Sequence, residues 1–517
     1  MWNLFEDLLA QVLDEPQQSE AWMSIHRLCT MPHAQSERAA VITRLQALQG
    51  KLDVRADVLR LTLLRDLSGG EAAYAAAAAQ CALSLDSNAD RMGALAAYAW
   101  GFAVKHASSA SAFAEQLRAY RVPELVAGMT LQAAKELPSY FVPRVPQRVA
   151  RVAVVLPYAS NAGHTPSAMV AAQCAVLARC GMTIGVFGCQ EQVPAQAHLY
   201  QGSSERVVLS PFDVVFWQNN LPNGVELHLM ADSQISLRMR WRVILEELVK
   251  FDPDLVFEVG LYSPLAGALY GRRAVLALNV HGCPPMVPSD VWLSSSVEPV
   301  GRGSIWGEGL PTSIAHPHPY RLDRPKSTNA LSRKELGIAD DALVWITVGH
   351  RLGSEIGGEW AAQVLSLLQR SPNVVWLLVG SEAVIPAALN GVADDRVRVL
   401  GFRSDVADLL NLSDICLNPP RMGGGFSVAE AMAAGRSVVS FRDGDGGDKL
   451  GPFAALSLDA YLNQLQELTV SSGSRQELGL ALLARFNARL DLISSDASLC
   501  QAMALSIQHA AVRLHVE

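Results

Sequence analysis

No run of about 18 apolar residues free of charge occurs in this chain, so a membrane-spanning helix is not expected. Blocks of lysine and arginine are also missing. The 42 basic residues are scattered among 50 acidic ones, and the net charge of −8 argues against a nucleic-acid partner. The N-terminal Met1-Trp-Asn-Leu-Phe-Glu-Asp7 has neither a basic region nor an apolar core, so no signal peptide is expected. None of the eight cysteines stands in a CxxC pair, which reads as reduced, buried thiols in a cytoplasmic chain. No His/Cys/Glu cluster has metal-ligand spacing, so neither metal nor cofactor is expected. The Gly-x-Ser-x-Gly elbow of serine hydrolases is absent.

What is present is length and apolar bulk. A chain of 517 residues, half of them hydrophobic, has material for about three domains. Residues 1–145 read as all-helical. Glu71-Ala-Ala-Tyr-Ala-Ala-Ala-Ala-Ala-Gln80 and Met92-Gly-Ala-Leu-Ala-Ala-Tyr-Ala-Trp100 are rich in the best helix former, with apolar positions recurring at three and four. Ala72–Asp90 loosely resembles half a tetratricopeptide repeat, but no 34-residue period follows, so an ordinary bundle is preferred. Residues 146–325 alternate buried strands (149–156, 183–187, 255–258, 275–280) with helices (167–180, 234–249, 265–270). That pattern predicts a parallel sheet covered on both faces, with ligands at the strands' carboxyl ends. The loops at those ends are 160–166, 258–264 and 281–288. Prolines 311, 317, 319 and 325 mark 305–330 as a linker. Residues 326–517 repeat the pattern with strands at 343–348, 374–379 and 397–400, and helices that return across the domains.

The most informative stretch runs from Leu417 to Phe441. A short strand ends at Pro419-Pro420, and Gly423, Gly424 and Gly425 follow. Without a Cβ these residues let a ligand approach the backbone. A helix is expected from Ser427 as N-cap to a stop at Gly435. A glycine loop feeding a helix N-terminus presents N–H groups and a positive dipole to an anion. Glu430, one turn in, is placed to accept two hydroxyls, as on a ribose. Tight packing of a βαβ unit is the plainer reading of the same glycines.

This stretch resembles the donor-binding segment of GT-B glycosyltransferases, where a Gly-Phe-Gly-like loop precedes Glu-Ala-Met-Ala-x-Gly-x-Pro-Val-Val. Phe426-Ser-Val-Ala-Glu430-Ala-Met-Ala-Ala-Gly435-Arg-Ser-Val-Val439 matches most of it. Further matches occur in order. Val348-Gly349-His-Arg351 resembles the loop that meets the donor diphosphate, and Val399-Leu-Gly401-Phe402-Arg403 resembles the base-binding loop. The resemblance implies an α/β fold of GT-B architecture, two doubly wound Rossmann-like domains preceded by an all-α domain. It also implies Glu430 on the ribose and the loop backbone, with Phe426 and Ser427, on phosphates and sugar. Two departures stand out. Family 4 enzymes carry a glutamate where this chain has Met422 and a lysine where it has Ile356, leaving Arg351, Arg421 and Lys449 as the basic candidates. Asn279-Val-His281-Gly-Cys-Pro-Pro resembles a stretch of glycosyltransferase family 41, which includes bacterial adhesin N-glycosyltransferases and O-GlcNAc transferase, has a helical N-terminal region and lacks that first glutamate.

His281, at a strand end, is a candidate base or donor to the sugar, or a loop histidine bonded to backbone. His164 is a similar candidate. Glu258 either orients the acceptor or pairs with Arg272 or Arg273. The segment Asp443–Gly451 either caps the sugar, holds a cation or is a surface turn. The expected function is transfer of a sugar from a nucleotide-sugar, expected to be a UDP-sugar, to a protein or glycan acceptor docked partly on the helical domain. That domain is also the candidate surface for oligomer formation. A GT-B nucleotide-sugar epimerase and a non-catalytic partner protein remain as alternatives.

Overall fold

The computed structural model describes residues 2–14, 19–30, 37–85, 89–160, 164–192, 211–230, 235–279, 283–294, 305–307, 313–318, 327–328, 331–380, 385–389, 395–492 and 495–514. An all-α region comes first, from the helix Trp2–Asp14 to the helix Val122–Ala134. The alanine run forms the helix Ala72–Ser84, with Ala75, Ala78, Ala79 and Ala82 turned inward at helical spacing. The first helices enclose their own core, including Phe5, Trp22, Leu45 and Leu63. The later ones share a core with the first sheet, in which Leu125 and Met129 meet the cluster of Phe187, Trp241 and Leu265. Polar contacts cross the same boundary. Leu237 N donates to Asp90 Oδ1 at 2.8 Å, and Glu136 pairs with Arg242 at 2.8 Å and with Arg238.

The first sheet contains β1 (Arg151–Val155), β2 (Thr183–Gly188), β3 (Glu226–Leu229), β4 (Leu255–Val259), β5 (Ala274–Leu278), β6 (Val291–Ser294) and β7 (Ile314–Pro317). Their order is β3-β2-β1-β4-β5-β6-β7, and every pairing is parallel. The last strand corrects the linker reading, since Ile314–Pro317 pairs with β6 within the proline-rich stretch. Pro317 is tolerated because it ends a strand at the sheet edge, where its missing N–H costs no ladder bond.

The second sheet contains β8 (Leu343–Val348), β9 (Val374–Val379), β10 (Val397–Gly401), β11 (Ile415–Leu417) and β12 (Ser437–Val439), in the order β10-β9-β8-β11-β12, again parallel. In both sheets the order reverses beside the first strand, which opens a crevice at the carboxyl ends. Two doubly wound sheets of this kind are the GT-B architecture. The helix Asp496–Leu514 follows the second sheet yet lies on the first. Its Arg513 grips Asp290, at the start of β6, with two bonds of 2.9 Å, and its Asp496 meets Arg179 at 2.7 Å. Among the described residues no helix is long and apolar enough to cross a membrane.

Candidate functional site

Three glycines terminate three adjacent strands of the second sheet. Gly349 ends β8, with its N–H on Val379 O at 2.9 Å, and Gly380 ends β9, with its N–H on Gly401 O at 2.9 Å. A Cβ on Gly380 would lie 2.0 Å from Gly349 O, and one on Gly349 would lie 2.2 Å from a guanidinium nitrogen of Arg421. The close approach of these strand ends therefore depends on glycine. Past Gly401, Phe402 is 65% exposed, and Arg403 is clasped by Asp405 at 2.8 and 2.5 Å. An exposed aromatic side chain thus follows the carboxyl end of β10, next in sequence to a held guanidinium.

The helix after the glycine loop, named the donor helix for the family segment it resembles, runs Gly425–Ala433, so it starts two residues before the expected cap. Gly424 takes the cap position at φ +92, and a Cβ there would lie 2.2 Å from Asn418 Oδ1. Only glycine adopts that conformation without strain, which moves the helix onset into the glycine loop. Ser427 sits inside the first turn, and its hydroxyl donates to Gly424 O at 3.0 Å. Gly435, at φ +67, follows the helix end as expected. Glu430 is half-buried, and burial raises its carboxyl to about 7. Among the described residues no hydrogen bond or ion pair engages that carboxylate.

The cations divide by role. Arg421 is buried and fully committed. It donates to Asn418 Oδ1 at 2.8 Å, Val348 O at 2.8 Å and Glu355 Oε2 at 2.7 Å. Glu355 also takes Arg351 at 2.9 Å. Burial alone would raise the Glu355 carboxyl, but Arg421 and Arg351 outweigh it and hold the group below its ordinary value. The Arg351 side chain is 38% exposed and stands at the glycine loop, 3.2 Å from where a Cβ on Gly423 would be. It is anchored at one end and open at the other. Lys449 is buried and reaches Asp448 at 2.8 Å. Glu355 and Asn418 escaped the sequence reading. The one available signal for Glu355 is its position four residues after Arg351 on a helical turn.

From the first sheet, His164 precedes the helix Thr165–Arg179. Its Nδ1 is 2.8 Å from Ser167 Oγ, its ring meets Tyr158 edge-on, and burial lowers its pKa to about 4. At neutral pH it is an uncharged imidazole able to take a proton. Glu258 lies wholly buried in β4, in register with Val155 and Ala277. Arg273 instead pairs with Asp252 at 2.8 Å, and the Arg272 contact that the structure gives is to Gly271 O. His281 lies outside the described residues. Its neighbour Cys283 is buried in one apolar cluster with Met286 and with Met422 of the second half, so the glycine loop touches the first-sheet loops. Among the described residues no group of three His, Cys, Asp or Glu side chains is arranged to hold a metal ion.

Residues 343–452 match the family described as "Glycosyl transferases group 1". This segment contains the strand-end glycines, Arg351 and Glu430. The matched segment takes in all five strands of the second sheet. Over the whole chain, a mutant O-GlcNAc transferase of Thermobaculum terrenum shares the fold at TM-score 0.55, with 15% identity and 99% of each chain covered. Anabaena HepE in complex with UDP-glucose aligns at TM-score 0.45 and 15% identity, over 68% of this chain and 99% of its own. No curated protein matches the chain.

Proposed function

We propose that the protein is a glycosyltransferase that takes a sugar from a nucleotide-sugar, UDP-linked, and passes it to a protein or glycan acceptor without a metal ion. The observation that carries the reading is that Arg351 stands at the Gly423–Gly425 loop, which feeds the helix bearing Glu430, all within the matched segment. Glu430 accepts the ribose hydroxyls, and the base lies against Phe402 and Arg403. The diphosphate faces the donor-helix N-terminus, the loop amides and the open edge of Arg351. Attack at the anomeric carbon expels the nucleoside diphosphate, and these fixed donors stabilise its growing charge. Neutral His164, or His281, takes the acceptor proton from the first-sheet side. The neighbour of like layout over its whole length is named an O-GlcNAc transferase, which favours an acceptor held partly by the helical region.

A non-catalytic nucleotide-sugar-binding partner is the second reading. Met422 and Ile356 favour it, since both are buried apolar residues where related transferases carry charge. Thermal shift and donor hydrolysis or transfer across UDP-, GDP-, ADP- and dTDP-sugars test both. Stabilisation with turnover supports the enzyme, stabilisation without turnover the partner, and no response to any donor refutes both.

A further inference from the structure

A second carboxylate stands in the cleft between the two halves. Asp445 opens the short helix Asp445–Leu450, just after Gly444. Its Cβ lies against the start of the donor helix, 3.0 Å from where a Cβ on Gly425 would be. The following residue is pinned, because a Cβ on Gly446 would meet Asn418 Nδ2 at 2.5 Å and Ser440 Oγ at 2.7 Å. The backbone at Asp445 is therefore held close beside the glycine loop. The charged or titratable groups facing it are Lys449 and Asp448 on its own helix, Arg421 and Arg351 from the neighbouring loops, and Cys283 from the first half. Lys449 goes to Asp448, and both arginines go to Glu355. Among the described residues no hydrogen bond or ion pair engages the Asp445 carboxylate.

The cationic edge of the crevice suits a diphosphate, and a carboxylate in contact with that diphosphate would repel it. Asp445 fits only a part of the ligand that is uncharged and rich in hydroxyl donors. A nucleotide-sugar has two such parts: the ribose, which Glu430 takes in the proposed reading, and the sugar, which lies beyond the phosphates toward the first half, where Cys283 stands. We propose that Asp445 recognises the transferred sugar, its carboxylate accepting a hydroxyl of the hexosyl group and so supplying a carboxylate where Met422 supplies none. The assignment rests on the nucleotide-sugar reading and adds to it which residue senses the sugar.

The test compares affinities of the full-length protein for UDP and for a panel of UDP-hexoses, by calorimetry, in the parent and in Asp445→Asn and Asp445→Ala. UDP affinity should stay within twofold of the parent. Affinity for the preferred UDP-hexose should fall roughly tenfold or more, the range of a lost hydrogen bond to a charged group. Burial, aided by Asp448 and opposed by Lys449, Arg421 and Arg351, raises the Asp445 carboxyl to about 7. The parent's preference for UDP-hexose over UDP should therefore grow from pH 6 to 8, and the Asn variant should flatten it. An unchanged UDP-hexose to UDP ratio in Asp445→Ala overturns the assignment. So does a variant whose UDP affinity falls together with its melting temperature, since that marks a structural role. If the parent binds neither UDP nor any UDP-hexose, the nucleotide-sugar reading fails, and the Asp445 assignment fails with it.

Discussion

Arg351 and Arg421 share Glu355 but differ in exposure, and that difference sets what each does. Arg421→Ala would leave Glu355 buried with one cation gone, and breaking a buried pair costs about 3–5 kcal/mol. Urea unfolding should show that loss. Arg351→Ala should lower the unfolding midpoint less than Arg421→Ala, because the Arg351 side chain is 38% exposed and Glu355 keeps Arg421 as its buried partner. Its effect should fall on transfer, lowered by about 10²–10³ as for the loss of one transition-state donor. Lysine at 351 should restore only part, lacking the planar fork. An alanine variant within twofold of the parent in transfer rate would move the phosphate role elsewhere. Glu430 carries a pH signature. Its carboxyl binds a proton more tightly folded, at about 7, than at the ordinary 4.5. Its contribution to stability is thus complete below pH 4.5 and lost as pH rises through 7. Melting temperatures between pH 5 and 8 should fall, and less steeply in Glu430→Gln, with the remaining slope supplied by Asp445 and by Glu191, a buried carboxylate that accepts from Trp241 Nε1 at 2.7 Å and is raised to about 7 by burial. In the proposed reading the ribose hydroxyls donate to the ionised form, so Glu430→Ala should weaken UDP binding by roughly 10- to 150-fold.

At the scale of elements, the crevice is made by strand ends that stop at glycine. Gly380→Ala puts a methyl group 2.0 Å from a backbone oxygen, which no rotamer change relieves. A loss of about 1–3 kcal/mol in chemical denaturation is expected, with nucleotide binding reduced in parallel. Gly357→Ala, where a Cβ would meet nothing within 4 Å, is the matched control. Most of these elements were legible beforehand. Leu343–Val348 and Val374–Val379 are unbroken apolar runs, which a sheet covered on both faces requires. The short edge strands Glu226–Leu229 and Ile314–Pro317 were not, since a half-exposed edge imposes no such pattern. The onset of the donor helix was misplaced because a serine is a common cap, whereas a left-handed glycine shows only in the backbone.

At the scale of the whole molecule, the helical region divides. Its later helices complete the core of the first sheet, so a chain begun near Arg148 would expose that cluster. Such a truncation is expected to lose cooperative unfolding and near-UV dichroism, and with them any nucleotide binding. A truncation that folds and binds UDP like the parent would overturn this. The first helices, around Phe5 and Trp22, form the separable layer and the better place to seek acceptor effects.

The sequence by itself determined the order of folds, the parallel character of both sheets, the glycine loop and the position of Glu430 on its helix. Each is written locally, in periodicity or in adjacent residue types. Only the tertiary structure decided which charges meet. Arg421 reaches Glu355 across 66 positions, and Arg513 reaches Asp290 across 223. Asp445 comes within electrostatic reach of Cys283 of the other half. Such partners follow from the crossing of strands and the return of the terminal helix. No local pattern encodes a contact whose two residues are brought together by the path of the chain between them.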